Sequence, residues 1–474
     1  MTKWQIQLRK MSINTQSIKP GDRGKGGNNP RAPRASAFKI GLILACGFAN
    51  LSSLPEPRAV ETPVTEGTRS RAALTDSVNL QLPFAVDSLC RVSDPARSLD
   101  GFLDGLDRLL DGRDTIVRIV HLGDSHVQAG FYSGQVMRLL HQAFGNAGRG
   151  WIAPLKLAGV NEPKDYRISS TVGKWTSGRC VQRAPGCPWG LGGMGLRPES
   201  ETVDLAIGIS PLLGAGYAFN EVHFYRDART PRLLPGAEDE RWTEAVCGSD
   251  PRAPEVVVDT FRLATTVDSL HLYSVRPDEY LPGEAAGSYY GFSLLNGQPG
   301  ILYHSIGQNG AMFVNYANAG YLRQLSLLEP SLLIITLGTN ESYTPRPFRE
   351  EEFVAQIDGF IRLVREYLPS TALLLTTPAE SFRRTRNGFV RNENIAKAAH
   401  AITTYAEAGG LACFDLYCAT GGANSCRKWR DGKLLGRDRV HFSTAGYYEQ
   451  GKLLYKALVR LKTDRQPPAT ADEQ

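Results

Sequence analysis

The sequence predicts an α/β protein: a parallel, doubly wound sheet into which a β-rich segment is inserted. Three observations carry this. An Ile/Val-rich run at 115–122 ends in a turn at Gly123, and apolar residues at helical spacing (Met137, Leu139, Leu140, Phe144) follow it. Strand-like and helix-like segments alternate again from about 300 to 461, the pattern of a parallel sheet with helices on both faces. Between about 160 and 300, short alternating segments punctuated by turn residues show no helical period, as in a β-sandwich or jelly roll.

Taken in order, the chain opens on a basic leader. Ten of the 54 Lys/Arg but two of the 48 Asp/Glu lie in residues 1–60, so the remaining 414 residues carry 44 basic and 46 acidic groups. The net charge of +6 therefore belongs to the leader, and the body offers no basic surplus that would argue for nucleic acid. The leader runs into an apolar stretch at 40–51, too short to span a bilayer comfortably and of signal-peptide length. Residues 1–51 are read as a signal peptide or amino-terminal anchor, with export to the periplasm or envelope. Any membrane association is through this segment alone. A disordered tail with an apolar patch is the alternative, and Ile43-Leu-Ala-Cys46 also matches a lipoprotein cleavage box. Polar, proline-bearing residues 52–75 form a linker.

The sheet domain is expected in two parts, 76–159 and 301–464, around the insert at 160–300, with a tail at 465–474. In the first part, Leu103, Leu106, Leu109 and Leu110 mark a helix, and the run at 115–122 a strand. A helix over 127–144 follows, then a glycine-rich loop at 145–151 that would line a substrate cleft or simply connect. In the insert, 203–209, 221–225 and 256–261 are strand-like. In the second part, 331–337, 372–377 and 411–417 read as buried strands, and 349–367, 391–408 and 444–461 as helices. Eight cysteines lack paired zinc-site spacing, and no structural metal is expected. Cys180 with Cys187, or Cys418 with Cys426, could close small loops if oxidised.

The turn Gly123-Asp-Ser125 at the strand's end is where an α/β sheet presents a hydroxyl nucleophile, with backbone N–H groups facing a developing anion. Such a serine needs a base and oxyanion donors. Asp-x-x-His occurs twice. Asp268-Ser-Leu-His271 falls in the β-rich insert, an ordinary strand surface. Asp438-Arg-Val-His441 falls between the last sheet strand and the closing helix, where both side chains can turn toward Ser125. Gly310 and Asn340 sit in turns near the sheet edge, one offering a backbone N–H and the other a side-chain amide. His126, beside the serine, would leave the turn in another direction.

In this order, Gly123-Asp-Ser125, Asn309-Gly310, Gly338-Thr-Asn340 and Asp438-Arg-Val-His441 resemble the four blocks of the SGNH, or GDSL-type, hydrolases. Glu341 departs from the Asp that often follows the Asn. Residues 121–128, 144–151, 305–311 and 421–437 look like the envelope branch that includes peptidoglycan O-acetylesterases, in which a carbohydrate-binding-like β-sandwich sits between the first and second blocks. The resemblance implies a flavodoxin-like sheet. It also implies a cofactor-free serine esterase with Ser125, Asp438 and His441 as its catalytic set. Ser125, Gly310 and Asn340 would form the oxyanion hole. The implied substrate is an acetylated polysaccharide, peptidoglycan or another glycan. An O-acyltransferase on the same triad and a non-catalytic glycan-binding envelope protein are the alternatives.

Overall fold

In the computed structural model, residues 78–465 are described, apart from 79, 81, 83–84, 86, 114, 201, 211–215, 237–240, 275–286 and 344–346. The expected signal segment, the linker and nearly all of the tail lie outside the described residues.

Five parallel strands stand side by side in the order Gly300–Gly307, Ile116–Gly123, Leu332–Thr336, Ala372–Thr376, Ala412–Phe414. Val92–Ser93 lies antiparallel at the far edge. Numbered along the chain the parallel strands run 2-1-3-4-5, the flavodoxin-like order. Its direction reverses between Ile116–Gly123 and Leu332–Thr336, opening a crevice at their carboxyl ends. All residues of Leu332–Thr336 and Ala372–Thr376 are buried, as a sheet covered on both faces requires. On one face the helices Asp100–Leu110, Tyr132–Phe144 and Thr444–Asp464 share a core with Ile119, Ile334 and Leu374. On the other, Glu350–Tyr367 and Asn394–Ala408 pack together, burying Ile357, Phe360 and Ile402. Each such side chain contributes roughly 1.5–3 kcal/mol when fully buried.

Several expected elements need correction. The helix expected over 127–144 is two, Ser125–Gln128 and Tyr132–Phe144. They part at Gly130, where φ is +72° and a Cβ would lie 2.6 Å from Pro163 Cβ. The helix expected from 391 begins at Asn394, and before it Phe382–Thr385 pairs with Gly388–Arg391 as a hairpin. The strand expected over 411–417 stops at Phe414, because Asp415 accepts from the Cys418 N–H and caps a short helix, Leu416–Ala419. Cys180, Cys187, Cys418 and Cys426, whose pairing the sequence left open, are free, as are the other three described cysteines.

The β-rich segment comprises two antiparallel sheets. One runs Trp242–Ser249, Val256–Val267, Phe219–Asp227, Tyr289–Leu295, Met194–Pro198, Trp175–Arg179, and the other Tyr166–Ser169, Asp204–Ile209, Ser269–Ser274, Leu233–Pro235. Phe224, Phe261 and Phe292 of the first share one apolar core with Ile168, Leu205 and Leu272 of the second. The glycine-rich loop is largely buried. Gly150–Ile152 pairs with Tyr289–Leu295, and Arg149 is buried against Asp165 at 2.5 Å. Gly148 and Gly150 are required there, since a Cβ on either would lie 2.3 Å from a backbone oxygen.

Candidate active site

At the carboxyl end of Ile116–Gly123 the backbone turns in a space that admits no side chain. A Cβ on Gly123 would lie 2.8 Å from the Thr336 carbonyl oxygen, and one on Gly307 2.2 Å from the Gln128 nitrogen. Asp124 caps the next turn by accepting from the His126 N–H at 2.9 Å, which leaves Ser125 as the first helical residue. Its N–H has no partner within the helix. Beneath the turn, buried His121 joins Tyr303 Oη (2.6 Å) and Thr336 Oγ1 (2.8 Å), and burial pushes its ring down to about 3, so it is neutral.

The second Asp-x-x-His arrives from the opposite side. Ser125 Oγ lies 2.7 Å from His441 Nε2, and His441 Nδ1 lies 2.7 Å from Asp438 Oδ2. Asp438 Oδ1 also accepts from the Val440 and His441 N–H groups, at 3.0 and 2.9 Å. Arg439 takes a left-handed φ of 58°, which folds Asp438 and His441 onto one side of the loop. Both side chains remain open to solvent, 54% and 40% exposed, so a bulky substrate can reach them.

Three titrations are tied together here. Burial pushes Asp438 up, but the hydrogen bond and charge of His441 prevail and bring it to about 2. Burial pushes the His441 ring down, but the hydrogen bond and charge of Asp438, with the charge of Asp124, hold it above its ordinary value. Burial raises Asp124 to about 7, against the His126 N–H and the His441 charge. A serine hydroxyl bonded to an imidazole that a carboxylate orients can attack an electrophilic carbonyl while passing its proton to the ring.

The expected oxyanion donors come to the same edge. Gly310, with φ +84°, occupies an open turn, and among the described residues nothing accepts from its N–H. The Asn340 amide is engaged already: its Nδ2 donates to Asp124 Oδ2 at 3.1 Å and to the Ala311 carbonyl at 3.0 Å. A cleft of about 630 Å³ opens beside Asn340, lined also by Met312, Phe348 and Phe353.

Several positioning residues escaped the sequence. Buried Gln128 accepts from the Asn309 N–H (2.7 Å) and donates to Asn161, fixing the Gly310 turn against the helix of Ser125. Tyr316 donates to the Gly123 carbonyl at 2.8 Å. Glu341 accepts from the Gly338 and Phe313 N–H groups and so anchors the turn bearing Asn340. His126 is buried with its ring 5.1 Å from that of His441 and its Nδ1 3.0 Å from Tyr447 Oη. The one available signal was spacing: Gln128 follows Ser125 by three, one helical turn. The histidine of the other Asp-x-x-His, His271, bonds Asp204 at 2.9 Å within the β-rich segment.

Residues 277–448 match the profile of the GDSL-like lipase/acylhydrolase family, a span that holds Gly310, Asn340, Asp438 and His441 but begins after Ser125. No curated protein sequence matches the chain. A solved structure described as a peptidoglycan O-acetylesterase superposes with a TM-score of 0.61 at 19% identity, over 79% of this chain and 99% of that one. A lipase/acylhydrolase from Enterococcus faecalis aligns at 18% identity over 36% of this chain and 80% of its own, with a TM-score of 0.25, too low to bear on the fold. The chain is thus similar to the GDSL-like lipase/acylhydrolase family over residues 277–448, and it shares the fold of the first of these structures.

Proposed function

We propose that the protein is an exported serine esterase that removes O-acetyl groups from an envelope polysaccharide, peptidoglycan foremost. The observation that carries the mechanism is the unbroken relay Ser125–His441–Asp438, with both links at 2.7 Å. Ser125 Oγ attacks the ester carbonyl as His441 Nε2 takes its proton; His441 then returns a proton to the leaving sugar hydroxyl. Asp438 fixes the tautomer with Nδ1–H toward itself and steadies the imidazolium. The N–H groups of Ser125 and Gly310 face the developing oxyanion. Asn340 joins them when one of its amide hydrogens leaves Asp124 or the Ala311 carbonyl. Water, activated by His441, releases acetate from the acyl-enzyme.

The glycan assignment rests on the likeness to the O-acetylesterase structure, and on reading the two antiparallel sheets as an inserted, carbohydrate-binding-like β-sandwich. Export rests on the basic and apolar segment at 1–51. In purified protein, Ser125→Ala is expected to abolish hydrolysis of p-nitrophenyl acetate, and wild type to release acetate faster from O-acetylated peptidoglycan than from acetylated xylan. Unchanged hydrolysis by Ser125→Ala would overturn the mechanism; equal rates on both glycans would overturn the substrate.

A further inference from the structure

An arginine-rich hairpin borders the site. The hairpin at 382–391 carries Arg383, Arg384, Arg386 and Arg391 and no acidic residue. Two contacts tie it to opposite sides of the site. The Phe382 N–H donates to the Arg439 carbonyl (3.0 Å), inside the Asp438–His441 turn. The Arg384 N–H donates to Tyr343 Oη (3.2 Å), three residues after Asn340.

The cations are gathered, not merely near in sequence. The Arg439 guanidinium lies 4.5 Å from the Phe389 ring centre and 5.8 Å from that of Phe382. Arg384 is the cross-strand partner of Phe389, so its side chain leaves the same face of the hairpin. Arg391 is paired with Glu380 and Glu393. Among the described residues, Arg384, Arg386 and Arg439 have no acidic partner, and the nearby Asp438 carboxylate is committed to His441; Arg383, opposite Val390, leaves the other face of the hairpin. Arg384 and Arg439 both neighbour Phe389, and an anion laid along them would relieve the repulsion between these like charges.

We propose that this arginine-rich face is a binding site for an anionic, carboxylate-bearing glycan strand, whose acid groups lie on the arginines while an acetylated hydroxyl reaches Ser125. The proposal rests on the esterase reading above and specifies its substrate. Nucleic acid fits less well: Phe382 is buried and Phe389 half-buried beside Arg439, so the hairpin itself offers bases little aromatic surface to stack on.

The test compares wild type, Arg384→Glu/Arg386→Glu and Arg384→Lys/Arg386→Lys on p-nitrophenyl acetate, O-acetylated polygalacturonate and neutral O-acetylated cello-oligosaccharides. The Glu pair is expected to keep p-nitrophenyl acetate hydrolysis within about twofold and to lose about tenfold in kcat/KM on the polyuronate, mostly through KM. The Lys pair should retain most of the polyuronate activity. Raising salt should slow wild type on the polyuronate and leave the neutral oligomers unaffected. Equal losses on charged and neutral glycans, no loss on either, or inhibition by a single-stranded oligonucleotide at lower concentration than by de-acetylated polygalacturonate would overturn the site. Hydrolysis of p-nitrophenyl acetate that is absent in wild type, or persists in Ser125→Ala, would instead overturn the esterase reading beneath it.

Discussion

The chain contains the same four-residue pattern twice and uses it in opposite ways. In Asp438-Arg-Val-His441 the left-handed Arg439 reverses the backbone, so that one carboxylate grips its own histidine by ring and by N–H. In Asp268-Ser-Leu-His271 the residues run into an extended strand. Side chains three apart on a strand point to opposite faces, and His271 takes Asp204 of the neighbouring strand, while the Asp268 carbonyl accepts from Ile209. A spacing motif therefore has chemical meaning only with a backbone that closes it.

The comparison can be broken by paired substitutions. The largest effect is expected for His441→Ala, a fall in kcat of about 10³-fold or more on any ester, against no change for His271→Ala. Asp438→Asn should cost about 10²–10⁴-fold by releasing the tautomer, and Asp268→Asn nothing measurable in kcat/KM. The pH profile sharpens the same contrast. His441 must be neutral to accept the serine proton and its protonated form is favoured, so kcat/KM should rise with pH through a value above 6.5. Asp438→Asn removes the partner that favours the protonated ring, so that acid limb should move to lower pH. An unmoved limb would mean that another group sets it. Smallest, Tyr447→Phe removes the hydroxyl from His126 and should lower kcat by a few-fold at most, about 1 kcal/mol, with KM unchanged.

The sheet was legible because buried parallel strands are continuous apolar runs: 332–336 and 372–376 offer no other reading. Ser125 was legible because it stands at the end of such a strand, and Asp438 with His441 because their pattern falls between the last strand and the closing helix. The arginine hairpin was not, although Asn387-Gly388 is a hairpin signal, because the residues around it lack alternation. Nor did net charge reveal it, since a body balanced to within two charges can still gather a few arginines beside the site. Gln128 and Asn161 meet Asn309 across 181 and 148 residues, and no local pattern encodes such a contact. The helix break at Gly130 depends on Pro163 filling the space beside it, again a distant partner.

The position of the insert has a consequence in time. The central strand Ile116–Gly123 finds its neighbours only in Gly300–Gly307 and Leu332–Thr336. At roughly 5–20 residues per second, synthesis leaves it with two unpaired edges for about 10–35 s before the first partner emerges. An Ile/Val-rich strand waiting that long is an aggregation hazard. The nascent chain thus depends on whatever shields that strand until the second half of the parallel-sheet domain arrives.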